Sequence, residues 1–194
     1  IEIASGVTTV GYGLGVDTTG DITLNNVYVH DTAGTGDGAR LSNIGGGNVV
    51  INDSQFNHNT GGNGLMVESA GSITLNTVEA NNNGLTGASL ENCLYAGGQC
   101  QGSDLVTVTN GSFNGNVGFD GLVIDSGGGI DLDGVTANGN GVNGAALKST
   151  DTAGGIGDVT VDQSDFSGNT HGTGLDVLAD GTIDLTDVTA SNNG

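Results

Sequence analysis

Proline and tryptophan are absent from this 194-residue chain, and aromatic residues make up only 4% of it. So few large rings cannot fill a broad globular core, although Val, Ile and Leu suffice for a narrow one. Cations are also scarce. Arg40 and Lys148 stand against 22 acidic residues, for a net charge of −20. Nucleic acid and anionic membrane surfaces require Lys and Arg to neutralise phosphate, so neither is an expected partner. No apolar run approaches the ~18 residues of a spanning helix, and membrane insertion is not expected. No signal peptide is visible, which suits a mature form or an excised segment. The 39 glycines follow no Gly-X-Y period, which excludes collagen.

Only two cysteines occur, Cys93 and Cys100 in Asn92-Cys93-Leu94-Tyr95-Ala96-Gly97-Gly98-Gln99-Cys100. The glycines allow this stretch to fold back, so a local disulfide is expected, with two free thiols as the alternative. A disulfide would imply an oxidising compartment. A metal site needs more ligands than this stretch supplies.

The chain is organised by a repeat. Ile22, Val49, Ile73, Val106, Ile130, Val159 and Ile183 are equivalent first positions, each followed two residues later by another apolar residue. That spacing marks a short strand with both residues facing inward. Seven on from each first position come Val29, Phe56, Ala80, Phe113, Ala137, Phe166 and Ala190. Ten on come Thr32, Asn59, Asn83, Asn116, Asn140, Asn169 and Asn193. Stacked asparagines can bond from rung to rung, and asparagine tolerates the left-handed backbone of a tight corner. Rungs of a stacked parallel sheet lie ~4.8 Å apart. Phe56, Phe113 and Phe166 therefore fit only because smaller residues separate them.

The repeat is thus a pair of coils. The Phe-bearing coil is always 24 residues, whereas the Val/Ala-bearing coil runs 27, 33 and 29. The extra residues fall in 42–48, 91–105 and 148–158, so insertions emerge on one edge of the stack, where repeat proteins often bind. Ile1-Glu2-Ile3-Ala4-Ser5 reads like the third strand of a variable coil. The chain begins and ends within a coil, which suits a slice of a longer array or a filament subunit.

Runs such as Val106-Thr107-Val108-Thr109-Asn110-Gly111-Ser112-Phe113-Asn114-Gly115-Asn116 resemble the right-handed parallel β-helix repeats of extracellular surface proteins, adhesins and polysaccharide-acting (pectate-lyase-like) enzymes. The likeness spans nearly all of 20–194. The expected fold is all-β, a single domain over 1–194. It is a single-stranded right-handed parallel β-helix (β-solenoid) of about seven to eight coils, alternating Phe-bearing and Ala/Val-bearing ones. Right-handedness follows from the resemblance and from the general preference in crossovers.

The family's pectin-cleaving hydrolases carry clustered aspartates, a Gly-His-Gly and an Arg-x-Lys, and this chain lacks that set. Its lyases use arginine or lysine as base, and two isolated cations cannot supply that role. Asp131 and Asp184 share a register but lie two coils apart, ~9.6 Å by the rung spacing. No catalytic residue is expected. Asp17, Glu68 and Asp125 fall in one corner register and are candidate calcium ligands, together with loop carbonyls. His30, His58 and His171 sit at offsets eight, nine and twelve and form no column. Asn52-Asp53-Ser54 and Asn110-Gly111-Ser112 are glycosylation sequons. No cofactor other than calcium is indicated.

The expected function is a non-catalytic structural or adhesive solenoid, extracellular or on the cell surface, associating end to end into filaments. The alternatives are a carbohydrate-binding or polysaccharide-cleaving module using the insertion edge, and a passive spacer within a large surface protein.

Overall fold

Each apolar-x-apolar triplet is rich in β-branched residues, which favour extended backbone, and it buries alternate side chains. The computed structural model describes residues 2–4, 11–93, 95–96, 99–100, 104–150 and 157–194. Among these the chain is all-β and without helices, stacked as a parallel β-solenoid. The first wall contains Ile22–Asn25, Val49–Asn57, Ile73–Glu79, Val106–Thr109, Ile130–Asp133, Val159–Asp162 and Ile183–Thr186, each paired in parallel with the next. The second wall contains Leu14–Asp17, Ala39–Asn43, Leu65–Ser69, Ala88–Glu91, Leu122–Ser126, Ala145–Ser149 and Leu175–Ala179. One continuous core lies between the walls.

The stack makes about six turns rather than seven to eight. Seven first positions enclose six intervals, and a turn requires a whole interval. The N-terminal strand also differs from expectation. Glu2–Ala4 pairs with Tyr28–His30, so it belongs to the first wall, with Ile3 opposite Val29. The third strand of that rung is Leu14–Asp17, opposite Ala39 to Ser42. Composition alone could not separate two short apolar strands of one coil; the pairing register does.

Two corners carry each coil away from the first wall. Four on from the first positions, Asn26, Asp53, Thr77, Asn110, Gly134, Gln163 and Asp187 are left-handed. Nine on, so are Asp31, His58, Asn82, Gly115, Gly139, Gly168 and Asn192, and all fourteen have φ between 47° and 70°. The ladder asparagines are not themselves at the left-handed corner. They follow it, and the turn swings their side chains into the core, where Asn59, Asn83, Asn116, Asn140 and Asn169 are fully buried.

Buried amides need partners, and the ladder supplies them. The Oδ1 of Asn116 accepts the backbone N–H of Asn83 at 2.9 Å and its Nδ2–H at 3.1 Å. Asn140 does the same for Asn116, at 2.9 and 3.0 Å. The pattern runs from Asn59 through to Asn193. A column of glycines leans against it. A Cβ on Gly121 would lie 2.6 Å from Asn140 Nδ2 and 2.5 Å from the Phe113 carbonyl, and Gly64, Gly87, Gly144 and Gly174 are similarly crowded. The invariable Gly before each second-wall strand is therefore a close approach of the ladder to backbone. Phe56, Ala80, Phe113, Ala137 and Phe166 occupy adjacent rungs with no exposure, each ring lying between smaller neighbours.

Candidate functional site

After the glycine, each second-wall strand alternates inward aliphatic residues with outward ones, so every second outward position forms a column. One such column reads Asp17, Ser42, Glu68, Glu91, Asp125, Lys148, Leu178. Asp17, Glu68 and Asp125 do share it, but each is separated from the next by a whole rung. Glu91 stands between Glu68 and Asp125, giving three carboxylates on successive rungs.

Both cations of the chain close this run. Arg40, outward on the rung before Glu68, donates from Nη2 to Glu68 Oε2 at 2.9 Å. Its Nη1 donates to the Tyr12 hydroxyl at 2.8 Å, and the guanidinium carbon lies 5.6 Å from the Tyr12 ring centroid. At the other end Lys148 Nζ donates to Asp125 Oδ2 at 2.9 Å. The hydrogen bonds from Arg40 to Glu68 and Tyr12 hold its guanidinium even more firmly protonated than usual. Glu91, half-buried in the middle, has its pKa raised by desolvation first, and then by the charges of Asp125 and Glu68, with Lys148 opposing. Among the described residues, no three or more His, Cys, Asp or Glu are grouped to hold a metal ion. Arg40 and Lys148 occupy Glu68 Oε2 and Asp125 Oδ2, so a cation on this column would compete with them for those two carboxylates. Small grooves adjoin both ends of the strip, about 270 Å³ beside Tyr12, Asp17 and Arg40, and about 290 Å³ beside Val123, Lys148 and Leu178.

The strip borders the insertion edge, because Asn43, Glu91 and Ser149 are the last strand residues before the variable loops. Asn92 anchors the longest loop. Its Nδ2 donates to the Asp104 carbonyl at 2.7 Å, and its Oδ1 accepts the Gly127 N–H at 3.3 Å. Cys93 is buried and disulfide-bonded. Tyr95–Ala96 pairs antiparallel with Gln99–Cys100, so the loop doubles back on itself. The Cys100 side chain lies outside the described residues, as do 94, 97–98, 101–103 and 151–156 of the edge.

The two sequons sit in different surroundings. Asn52 donates from Nδ2 to Asn25 Oδ1 at 2.8 Å and accepts from Asn76 Nδ2 at 2.7 Å. Ser54 is buried, accepting the Val27 N–H. Asn110, by contrast, is exposed at a left-handed corner. His171 lies on the far side of the ladder, against the Gly141 carbonyl at 3.0 Å. His30 and His58 line one groove despite their different offsets.

Sequence reasoning missed Glu91 and a second asparagine ladder eight on from the first positions. In that ladder Asn57, Asn81 and Asn114 accept the N–H groups of Asn81, Asn114 and Asn138 respectively. The signal for Glu91 was present: Ala88-Ser89-Leu90-Glu91 aligns residue for residue with Leu65-Met66-Val67-Glu68. No protein-family model, curated protein or solved structure matches this chain.

Proposed function

We propose that this chain is a non-catalytic structural or adhesive solenoid of the cell exterior. The observation that carries the reading is the buried asparagine ladder, which ties every rung from Asn59 to Asn193 to the next without a break. Such a column resists separation of rungs along the axis, which is what a scaffold or stalk requires, because each opened rung strands buried amides. The Cys93 disulfide supports an oxidising compartment. The net charge of −20 supports a heavily solvated surface.

On this reading, copies associate end to end wherever a terminal rung is uncovered, because the register that stacks rungs within the chain serves equally between chains. Head-to-tail contacts that do not close generate fibres. Negative-stain microscopy with light scattering, on natively purified protein of verified mass with and without EDTA, tests this. Long thin fibres are expected, and fibres that dissolve in EDTA would add calcium as a linker. Discrete monomers would overturn self-assembly and leave a passive spacer. Turnover of a polysaccharide panel by such monomers would overturn the non-catalytic reading.

A further inference from the structure

The short strand that follows the first corner carries two outward columns, six and eight on from the first positions. Along most of the stack these columns bond to each other and close the surface. Asn114 Nδ2 donates to Ser112 Oγ at 2.8 Å and to Thr136 Oγ1 at 3.2 Å. Ser167 Oγ donates to Asp165 Oδ1 at 2.5 Å. The residues are small, and little remains unpaired.

The first rungs break this pattern. Tyr28 stands opposite Gln55 and His30 opposite Asn57, on strands paired in register. Val29 and Phe56 between them point into the core with no exposure. Tyr28, His30, Gln55 and Asn57, with His58 at the left-handed corner, line an open groove of about 450 Å³. That volume lies within the range of small-ligand sites. Tyr28 is 38% exposed, whereas three of the four phenylalanines are locked in the core. The Tyr28 hydroxyl, the Gln55 amide and the His58 ring have no hydrogen-bond partner among the described residues. Asn57 is partly engaged, accepting the Asn81 N–H at 2.7 Å and donating to Glu79 Oε2 at 3.3 Å.

We propose that this groove is a binding subsite for a neutral saccharide, with Tyr28 as the stacking platform and Gln55, Asn57 and His58 as hydroxyl partners. A pyranose offers an apolar C–H face and a rim of paired hydroxyls. An exposed ring covers the first, and a planar amide, carrying donor and acceptor side by side, matches the second. The sign of the sugar follows from the surroundings. Neither Arg nor Lys lines the groove, and the Asp31 carboxylate, 2.8 Å from His30 Nδ1, and Glu79 flank it. An acidic sugar would meet like charge without a compensating cation. The site lies on the first wall, away from the insertion edge, and goes beyond the scaffold reading: a solenoid that forms no fibres can still bind here, and one that forms fibres can fail to.

Titration calorimetry on the full chain tests the proposal. The probes are hexamers of β-1,4-glucose, β-1,4-N-acetylglucosamine, β-1,4-mannose and α-1,6-glucose, with hexagalacturonate as the acidic comparison. At least one neutral hexamer is expected to bind with Kd below about 1 mM. Tyr28→Ala should weaken it at least about tenfold and Gln55→Ala severalfold, while Tyr12→Ala, on the other wall, stays within about twofold. Circular dichroism checks each variant's fold, and Gln55→Ala carries the test alone if Tyr28→Ala is misfolded. No binding by any neutral hexamer, tighter binding of hexagalacturonate, or an affinity indifferent to the groove variants overturns the assignment.

Discussion

Replacing Asn116 by alanine strikes the ladder at its middle. The side chain's Oδ1 accepts both the backbone N–H and the Nδ2–H of Asn83, and its own Nδ2 donates to Asn140 Oδ1 at 3.0 Å. Alanine leaves two donors of Asn83 orphaned in a region with no solvent exposure. A buried polar group left unsatisfied costs about 1–3 kcal/mol, so the expected destabilisation is about 4 kcal/mol. Asn193 accepts the same pair of bonds from Asn169, both at 3.0 Å, but is half-exposed, so water can replace it. Asn193→Ala should therefore cost only about 1 kcal/mol. Urea unfolding followed by far-UV circular dichroism reads both, the midpoint giving the loss and the slope checking that the same surface unfolds. Asn116→Asp is the internal control. It keeps an acceptor for Asn83, but once ionised it sets a charge against Asn140 Oδ1, whereas once protonated its O–H can donate there. It should be destabilised at neutral pH and recover as the solution becomes acidic. If Asn116→Ala lies within about 1 kcal/mol of the parent, or matches Asn193→Ala, the ladder is not what holds the rungs.

Glu91 sets a pH dependence. Its pKa in the folded chain lies above the ordinary 4.5, so folding favours the protonated acid, and stability present below the unfolded value is lost as pH rises through the folded one. Glu91→Gln removes that loss, so its advantage over the parent should grow from about pH 3 to about pH 8 in parallel melts, and a pH-independent difference would refute the assignment. Ala137→Phe places a ring between Phe113 and Phe166 on adjacent rungs and should cost about 1–3 kcal/mol or more, while Phe113→Ala should cost about 3–5 kcal/mol, both read from urea midpoints. A tolerated Ala137→Phe would mean that alternation of ring size is not needed.

Most of the fold was legible because a solenoid repeats its evidence. One Ile-x-Leu triplet is ambiguous, but seven in register with Phe, Ala and Asn at fixed offsets specify a stack. The ladder asparagines were legible for the same reason, though the backbone that aims them was not. The left-handed residue is the one before, and there Asp31, His58, Asn82 and Gly115 share a conformation without sharing a side chain. A requirement on φ that several residue types can meet leaves no single letter to align. Glu91 was obscured differently. It follows Ala88 in a variable coil, whereas Glu68 and Asp125 follow Leu in constant ones, so the leucine that marks their register does not mark its own. The Arg40–Glu68 and Lys148–Asp125 pairs join residues 28 and 23 apart, contacts that only the register of the second wall brings together.

The same logic separates architecture from recognition. Where the repeat is obeyed, outward side chains are small and bond to their neighbours, as Asn114 does with Ser112 and Thr136, and the surface has little left to offer a ligand. Where it is broken, groups are released. Tyr28 and Gln55 stand where most later rungs of their column carry Ser, Thr or Asp, and His58 takes a corner that glycine fills three times elsewhere. A left-handed histidine is held there by the rungs on either side, since glycine or asparagine would satisfy the backbone more readily. The ionic strip is the opposite kind of departure. Its five charges on successive rungs largely neutralise one another, with Arg40 and Lys148 engaging the outer carboxylates. Charge that is internally paired stabilises register and leaves little field for a partner, whereas an exposed ring and a Gln55 amide with no hydrogen-bond partner among the described residues, in a groove lined by neither Arg nor Lys, do the reverse. In this chain, recognition is therefore to be sought at Tyr28, Gln55 and His58 before the carboxylate column.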